Sequence, residues 1–215
     1  MKAYHFLRDD MTAGSGNEPA WKIGETRTIE GELKMCGHGY HSSPSWFDCL
    51  SYAYGSMACM VDIPKRGTVK NGDKSVSRSR TLVDARNAEK TLRYWACDCA
   101  ERALKVAKVT DDRSWNAIRV TRLYNEGKAT KQELTAAAES ARSAAESAWL
   151  ARLAAWSAAM SAVESARSAW LAGDAASAAA GDAEEKWQRR RLNWYMKKLF
   201  NGEYGGVNDD SNPVS

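Results

Sequence analysis

Residues 37–63 read GHGYHSSPSWFDCLSYAYGSMACMVDI, and the order of elements in this stretch sets the fold class. SMACMVDI, at 56–63, is an apolar β-type run bounded by Gly55 and Pro64. PSWFDCLSYAYG, at 44–55, predicts a short helix capped by Ser43 or Ser45 and stopped by Gly55. Working outward, AYHFL at 3–7 is a second β-type run, and TAGSGNEPAW and IGETRTIEGELKMCGHG supply the turn formers between them. Strand, turn, helix, strand makes this part α+β.

Downstream, PKRGTVKNGDKSVSRSR at 64–80 sets six cations (Lys65, Arg66, Lys70, Lys74, Arg78 and Arg80) against one acid, Asp73. Without hydrophobic periodicity such a stretch predicts a solvated linker. From Thr81 the pattern turns helical. Leu92, Trp95, Cys99, Ala103 and Val106 fall at steps of three and four, one face of a helix. DDRSWNAIRVTRLYNEG adds a second helix, with Trp115 and Ile118 in phase and Gly127 at its end. ESARSAAESAW at 139–149 returns as ESARSAW at 164–170, and Trp149, Trp156, Val163 and Trp170 are spaced by seven. That spacing is the seam of helices packed along their length, within the chain or, through Trp149, Trp156 and Trp170, between two copies. DAEEKWQRRRLNWYMKKLF is a last helix, acidic at its start and basic at its end as the helix dipole favours.

The 215 residues, 44% hydrophobic with nine tryptophans, suffice for a folded core and argue against global disorder. A net charge of +4 suits a nucleic acid or an acidic protein and requires neither. The odd set of five cysteines has no Cys-x-x-Cys pair and reads as reduced thiols. The opening MKAYHFLRDDMTAG places charges where a signal peptide needs an apolar run, and no stretch is long and apolar enough for a membrane. The expected location is the cytoplasm, with no membrane contact.

The opening stretch also carries residue types that do chemistry. Cys36, His38 and His41 with Cys49 or Cys59 have the ligand types for zinc but not the spacing of a finger or ribbon. Ser42 or Ser43 beside a histidine has no Gly-x-Ser-x-Gly elbow and no nameable acid. Cys49, beside Trp46 and Leu50, reads as a small core residue. No metal, cofactor or catalytic residue is expected.

Three resemblances extend this reading. Strand, glycine, aromatic, His or Ser turn, then a helix ending near a tyrosine is similar to the core of ADP-ribosyltransferase folds. That resemblance implies a nucleotide pocket with His5 on the first strand, Tyr40, His41, Ser42 and Ser43 at the turn, and Tyr52 as the stacking ring. The late catalytic acid has no counterpart, so it implies a vestigial nucleotide binder more than an enzyme, and an acid beside Tyr52 would favour it. The N-terminal segment also resembles an uncharacterised domain of bacterial and phage open reading frames. The helical half is similar to immunity-protein families of bacterial polymorphic toxin systems, through Trp95, Cys99, Ala100, Glu101 and Arg102; Asp112, Arg113, Ala117 and Ile118; Gly127; and Trp187, Gln188 and Leu192. This implies action by binding.

The expected architecture is α+β: a small α+β domain at 1–64, a basic linker or loop at 65–80, an Ala-rich, mostly antiparallel helical bundle at 81–200, and a disordered tail at 201–215. The expected function is a non-enzymatic, phage-associated, immunity-like or anti-defence inhibitor that binds a bacterial protein such as a defence component or toxin. Arg189, Arg190, Arg191, Trp194, Lys197 and Lys198 are its partner-binding candidates, since Arg is favoured at interface hot spots. The alternatives are the nucleotide-binding module and a nucleic-acid binder, for which interleaved cations and aromatics would serve phosphates and bases.

Overall fold

In the computed structural model the described residues are 1–14, 18–146 and 182–202. They form seven strands and five helices, an α+β fold: β1 (Lys2–Leu7), β2 (Thr26–Thr28), β3 (Tyr40–Ser42), α1 (Trp46–Leu50), β4 (Met57–Asp62), β5 (Val69–Asn71), β6 (Lys74–Ser77), β7 (Ser79–Asn87), α2 (Glu89–Val106), α3 (Asp112–Asn125), α4 (Lys131–Glu146) and α5 (Asp182–Phe200). One sheet runs β1-β4-β7-β2 and the other β3-β6-β5, with every named pair antiparallel. Only Arg78 separates β6 from β7, and Tyr4 of β1 exchanges both backbone hydrogen bonds with Ser43, just past β3. The circuit β3, β6/β7, β4, β1 therefore closes on itself as a small ring of strands.

The strands and the short helix at the opening stretch form where the sequence places them. The Ser45 hydroxyl oxygen accepts from the Asp48 backbone N–H at 3.2 Å and caps α1, which ends at Leu50, short of Gly55. Gly39 enters β3 at φ 129°, and a Cβ there would sit 2.3 Å from Val76 Cγ2, so only glycine fits.

The basic segment 65–80 is not a linker. It holds β5, β6 and the start of β7, joined by a tight turn at Gly72 and Asp73 in which Gly72 takes φ 58°. The helical pattern expected from Thr81 begins only at Glu89, because β7 is an inner strand between β4 and β2. A boundary at residue 64 thus falls between strands of one sheet. The reason is a β-bulge: Met60 pairs with Asp84 but Val61 with Leu82, so Val83 is extra. Leu82 and Ala85 then both face inward three residues apart, which mimics helical spacing.

Two apolar layers flank the larger sheet. On one side Phe6 and Ala58 pack with Trp46, Cys49 and Leu50 of α1, Leu92, Trp95 and Cys99 of α2, and Leu192, Tyr195 and Met196 of α5. On the other, Ala3, Leu7, Cys59, Val61, Leu82 and Ala85 pack with Trp21 and Tyr40. The sheet and the helices at both ends of the helical half thus share one core. Trp95 Nε1 donates to the Gln188 carbonyl at 3.1 Å, and Asp98 accepts from Arg122, Arg191 and Tyr195, which ties α2, α3 and α5 together. Of the expected α2 face, Leu92, Trp95 and Cys99 are buried, but Val106 is 73% exposed and Leu104 takes the last core position. The Trp149, Trp156 and Trp170 seam and the expected tail from 203 lie outside the described residues. No described helix is long and apolar enough to cross a membrane.

Candidate functional site

The strand ring encloses a polar cluster. Side chains alternate along a strand, so His5 shares a face of β1 with Ala3 and Leu7. By the same alternation Arg80 and Leu82 share a face of β7, and both point into the layer of Trp21 and Tyr40. Arg80 is 4% exposed. Its Nη1 donates to the His41 carbonyl at 2.8 Å, which fastens β3 to β7, and its guanidinium carbon stands 4.5 Å from the Trp21 ring centre and 5.2 Å from that of Tyr40. No carboxylate among the described residues lies within ion-pair distance of it. Burial lowers its pKa to about 10, which leaves it a cation at neutral pH.

The expected pocket residues divide. His5 is half-buried, but its ring Nε2 is closed off from solvent and has no hydrogen-bond partner. Burial, then the fields of Arg80 and His41, hold its pKa well below the usual imidazole value. Tyr40 is buried edge-on against Trp21, ring centres 5.5 Å apart, and burial raises its phenol. His41 is committed locally: its Nε2 accepts from the Cys36 backbone N–H at 2.8 Å. Burial lowers its pKa, against a hydrogen bond to the Gly39 backbone that raises it. Ser42 and Ser75 are buried with their hydroxyls 3.0 Å apart, and Ser43 is buried in the bridge to Tyr4. Tyr52 stands apart at the surface, donating to Asp73 Oδ2 at 2.7 Å under Lys74. That hydrogen bond is the main reason its phenol pKa is raised.

The cysteines do not supply a nucleophile in the core. Burial pushes the thiols of Cys59 and Cys97 up to about 12 and those of Cys49 and Cys99 well above their ordinary value. Cys36 alone is exposed, with Lys74 Nζ 3.0 Å from its sulfur. No group of three metal-ligating side chains is present among the described residues.

On α5 the expected partner-binding residues also divide. Arg189 is taken by Asp48 and Glu185, each at 2.7 Å, and lies over the Phe47 ring. Arg191 binds Asp98 at 2.7 Å and covers Trp194, which Lys198 flanks at 4.4 Å. Arg190 and Lys197 remain exposed, and with Lys186 and Asn193 they form one outward stripe at steps of four, three and four. None of the three cations pairs with an acid among the described residues. Sequence reasoning missed Arg80 and Trp21. No local signal separates Arg80 from Arg78 two residues earlier: Arg78 is exposed because it falls in the break between β6 and β7, and Arg80 is buried within β7.

Residues 1–94 match the family described as a domain of unknown function (DUF7666). The matched span takes in all seven strands, α1 and the first turns of α2. No curated protein and no solved structure matches the chain.

Proposed function

We propose that this chain is a non-enzymatic binding protein that acts by stoichiometric association with a bacterial protein, as a phage-associated, immunity-like or anti-defence inhibitor in the host cytoplasm. An acidic surface of that protein docks on the outer face of α5. The observation that carries this reading is the stripe of Lys186, Arg190 and Lys197, which is exposed and has no internal counter-charge among the described residues. Cations spent on internal ion pairs, such as Arg189 and Arg191, are held by the fold; cations left outward steer an acidic partner. In the opening stretch, His41, Ser42 and Ser43 have their hydrogen-bonding groups engaged in the fold, which supports binding over catalysis. In this reading the helical half is an Ala-rich, mostly antiparallel bundle that presents α5 to the partner.

A nucleotide-binding reading keeps one favourable observation, the acid Asp73 beside Tyr52. That pair lies at the surface, with Tyr52 36% exposed, whereas Tyr40 is buried.

The test is a tagged pull-down of the full chain from nuclease-treated bacterial lysate, beside an Arg190→Glu/Lys197→Glu variant. A protein recovered in stoichiometric amount by the native chain and lost from the variant supports the reading. Recovery that requires nucleic acid, or that is the same with both chains, overturns it.

A further inference from the structure

We infer that the strand ring holds a binding site for a small oxyanion, a carboxylate or a phosphate, with Arg80 as its cation and His5 Nε2 as a second polar contact. A guanidinium has five N–H donors, and the only protein acceptor for Arg80 among the described residues is the His41 carbonyl. Glu18 is the main opposite charge acting on it, from beyond ion-pair distance, so a closer anion would be the better partner for a cation taken from water. Trp21 and Tyr40 attract a cation through their ring faces but offer no strong acceptor for its N–H groups. Glu18 has its Oε2 engaged by the Trp21 indole N–H at 3.2 Å and stands 3.6 Å from Arg27, so the carboxylate whose charge favours the Arg80 cation is held by other partners.

His5 adds an independent observation on the same face of the ring. Its Nε2 is shielded from solvent and has no partner. One unsatisfied ring nitrogen and one under-coordinated guanidinium, both turned into a single enclosed layer, share one remedy: an anion with at least two oxygens. An oxyanion meets the planar fork of arginine through paired hydrogen bonds and takes a third contact from the imidazole. The ligand is small because the place it enters leaves Arg80 only 4% exposed. The site is separate from the α5 stripe and does not depend on any partner protein.

The test is thermal unfolding of the full chain at neutral pH and constant ionic strength, with sodium phosphate or sodium acetate replacing sodium chloride. The expected result is a saturable rise in Tm of about 3 °C with one of the two anions, in line with linkage for a ligand well above its Kd. The anion with the lower midpoint identifies the chemistry. His5→Phe, which keeps a ring and removes the nitrogen, should move the midpoint up roughly tenfold, the value of one charge-assisted contact. Arg80→Lys, which keeps the charge and loses the fork, should abolish the rise. No saturable rise with either anion overturns the inference. So does a midpoint that His5→Phe leaves unchanged, or a rise that disappears in Arg190→Glu/Lys197→Glu, which would assign the anion to α5.

Discussion

Leu192→Ala tests whether the sheet and the last helix are one cooperative unit. Leu192 is fully buried in α5 among residues contributed by β1, β4, α1 and α2. The substitution removes three carbons, about 2.4 kcal/mol of transfer free energy at roughly 0.8 kcal/mol per buried methylene. The cavity it leaves raises the cost to about 3–4 kcal/mol, because the surrounding rings of Trp46, Trp95 and Tyr195 cannot close a leucine-sized hole. For a chain of this size that is a fall in Tm of roughly 10 °C. Hydrogen exchange read by mass spectrometry at peptide level is the informative assay. Peptides from β4 and β7 should lose protection by the same increment as those from α5, since their slowest exchange passes through a common unfolding. If α5 loses protection while β4 and β7 keep theirs, the helix is only laid against an independently stable sheet, and the shared-core reasoning is refuted.

Two further outcomes follow from the buried titratable groups. His5 and His41 have folded pKa values below the ordinary imidazole value, so the folded state binds fewer protons than the unfolded one and stability increases with pH. Their contribution is intact above the unfolded pKa of about 6.5 and is lost as pH falls from there through the folded values, by up to about 1.4 kcal/mol per pH unit for each histidine. Urea unfolding between neutral pH and about pH 5.5 should show this slope, and His5→Phe should flatten it; an identical slope in the variant removes His5 from the account. Of the five cysteines, a thiol reagent should modify only Cys36 in the native chain and all five in denaturant. Fast modification of more than one native thiol would contradict the burial of the other four.

Much of the local structure could be read from sequence because its causes are local. Ser45 before an apolar turn caps α1, and the charge asymmetry of DAEEKWQRRRLNWYMKKLF marks α5 to the residue. The segment 64–80 misled for a physical reason. Its cations other than Arg80 stand at turns, bends and outer strand positions, while Ser75, Val76 and Ser77 are buried and carry little hydrophobic signal. The turn Asn71, Gly72, Asp73 was the legible hairpin mark within it. In β7 the bulge hid the alternation, since an extra residue converts a period of two into a local step of three.

The cluster around Arg80 was illegible for a different reason: no local pattern distinguishes a cation that the fold will bury from one that it will expose. Arg78 and Arg80 share parity and part only because Arg78 falls in the break between β6 and β7, while Arg80 lies within β7, whose inner face meets Trp21 and Tyr40. The same holds across the whole chain. Trp95 and Gln188 are 93 residues apart, and their hydrogen bond joins α2, where the match to the domain of unknown function ends, to α5. Residues 1–94 contain every described strand, yet in this chain the apolar face formed by Phe6, Ala58 and Leu92 is covered by Leu192 and Met196 from outside that span. The helical half is therefore not an appendage to the matched domain. It supplies one wall of that domain's core, and the stripe of Arg190 and Lys197 is carried on the back of that wall, which the ion pairs of Arg189 and Arg191 fasten to α1 and α2.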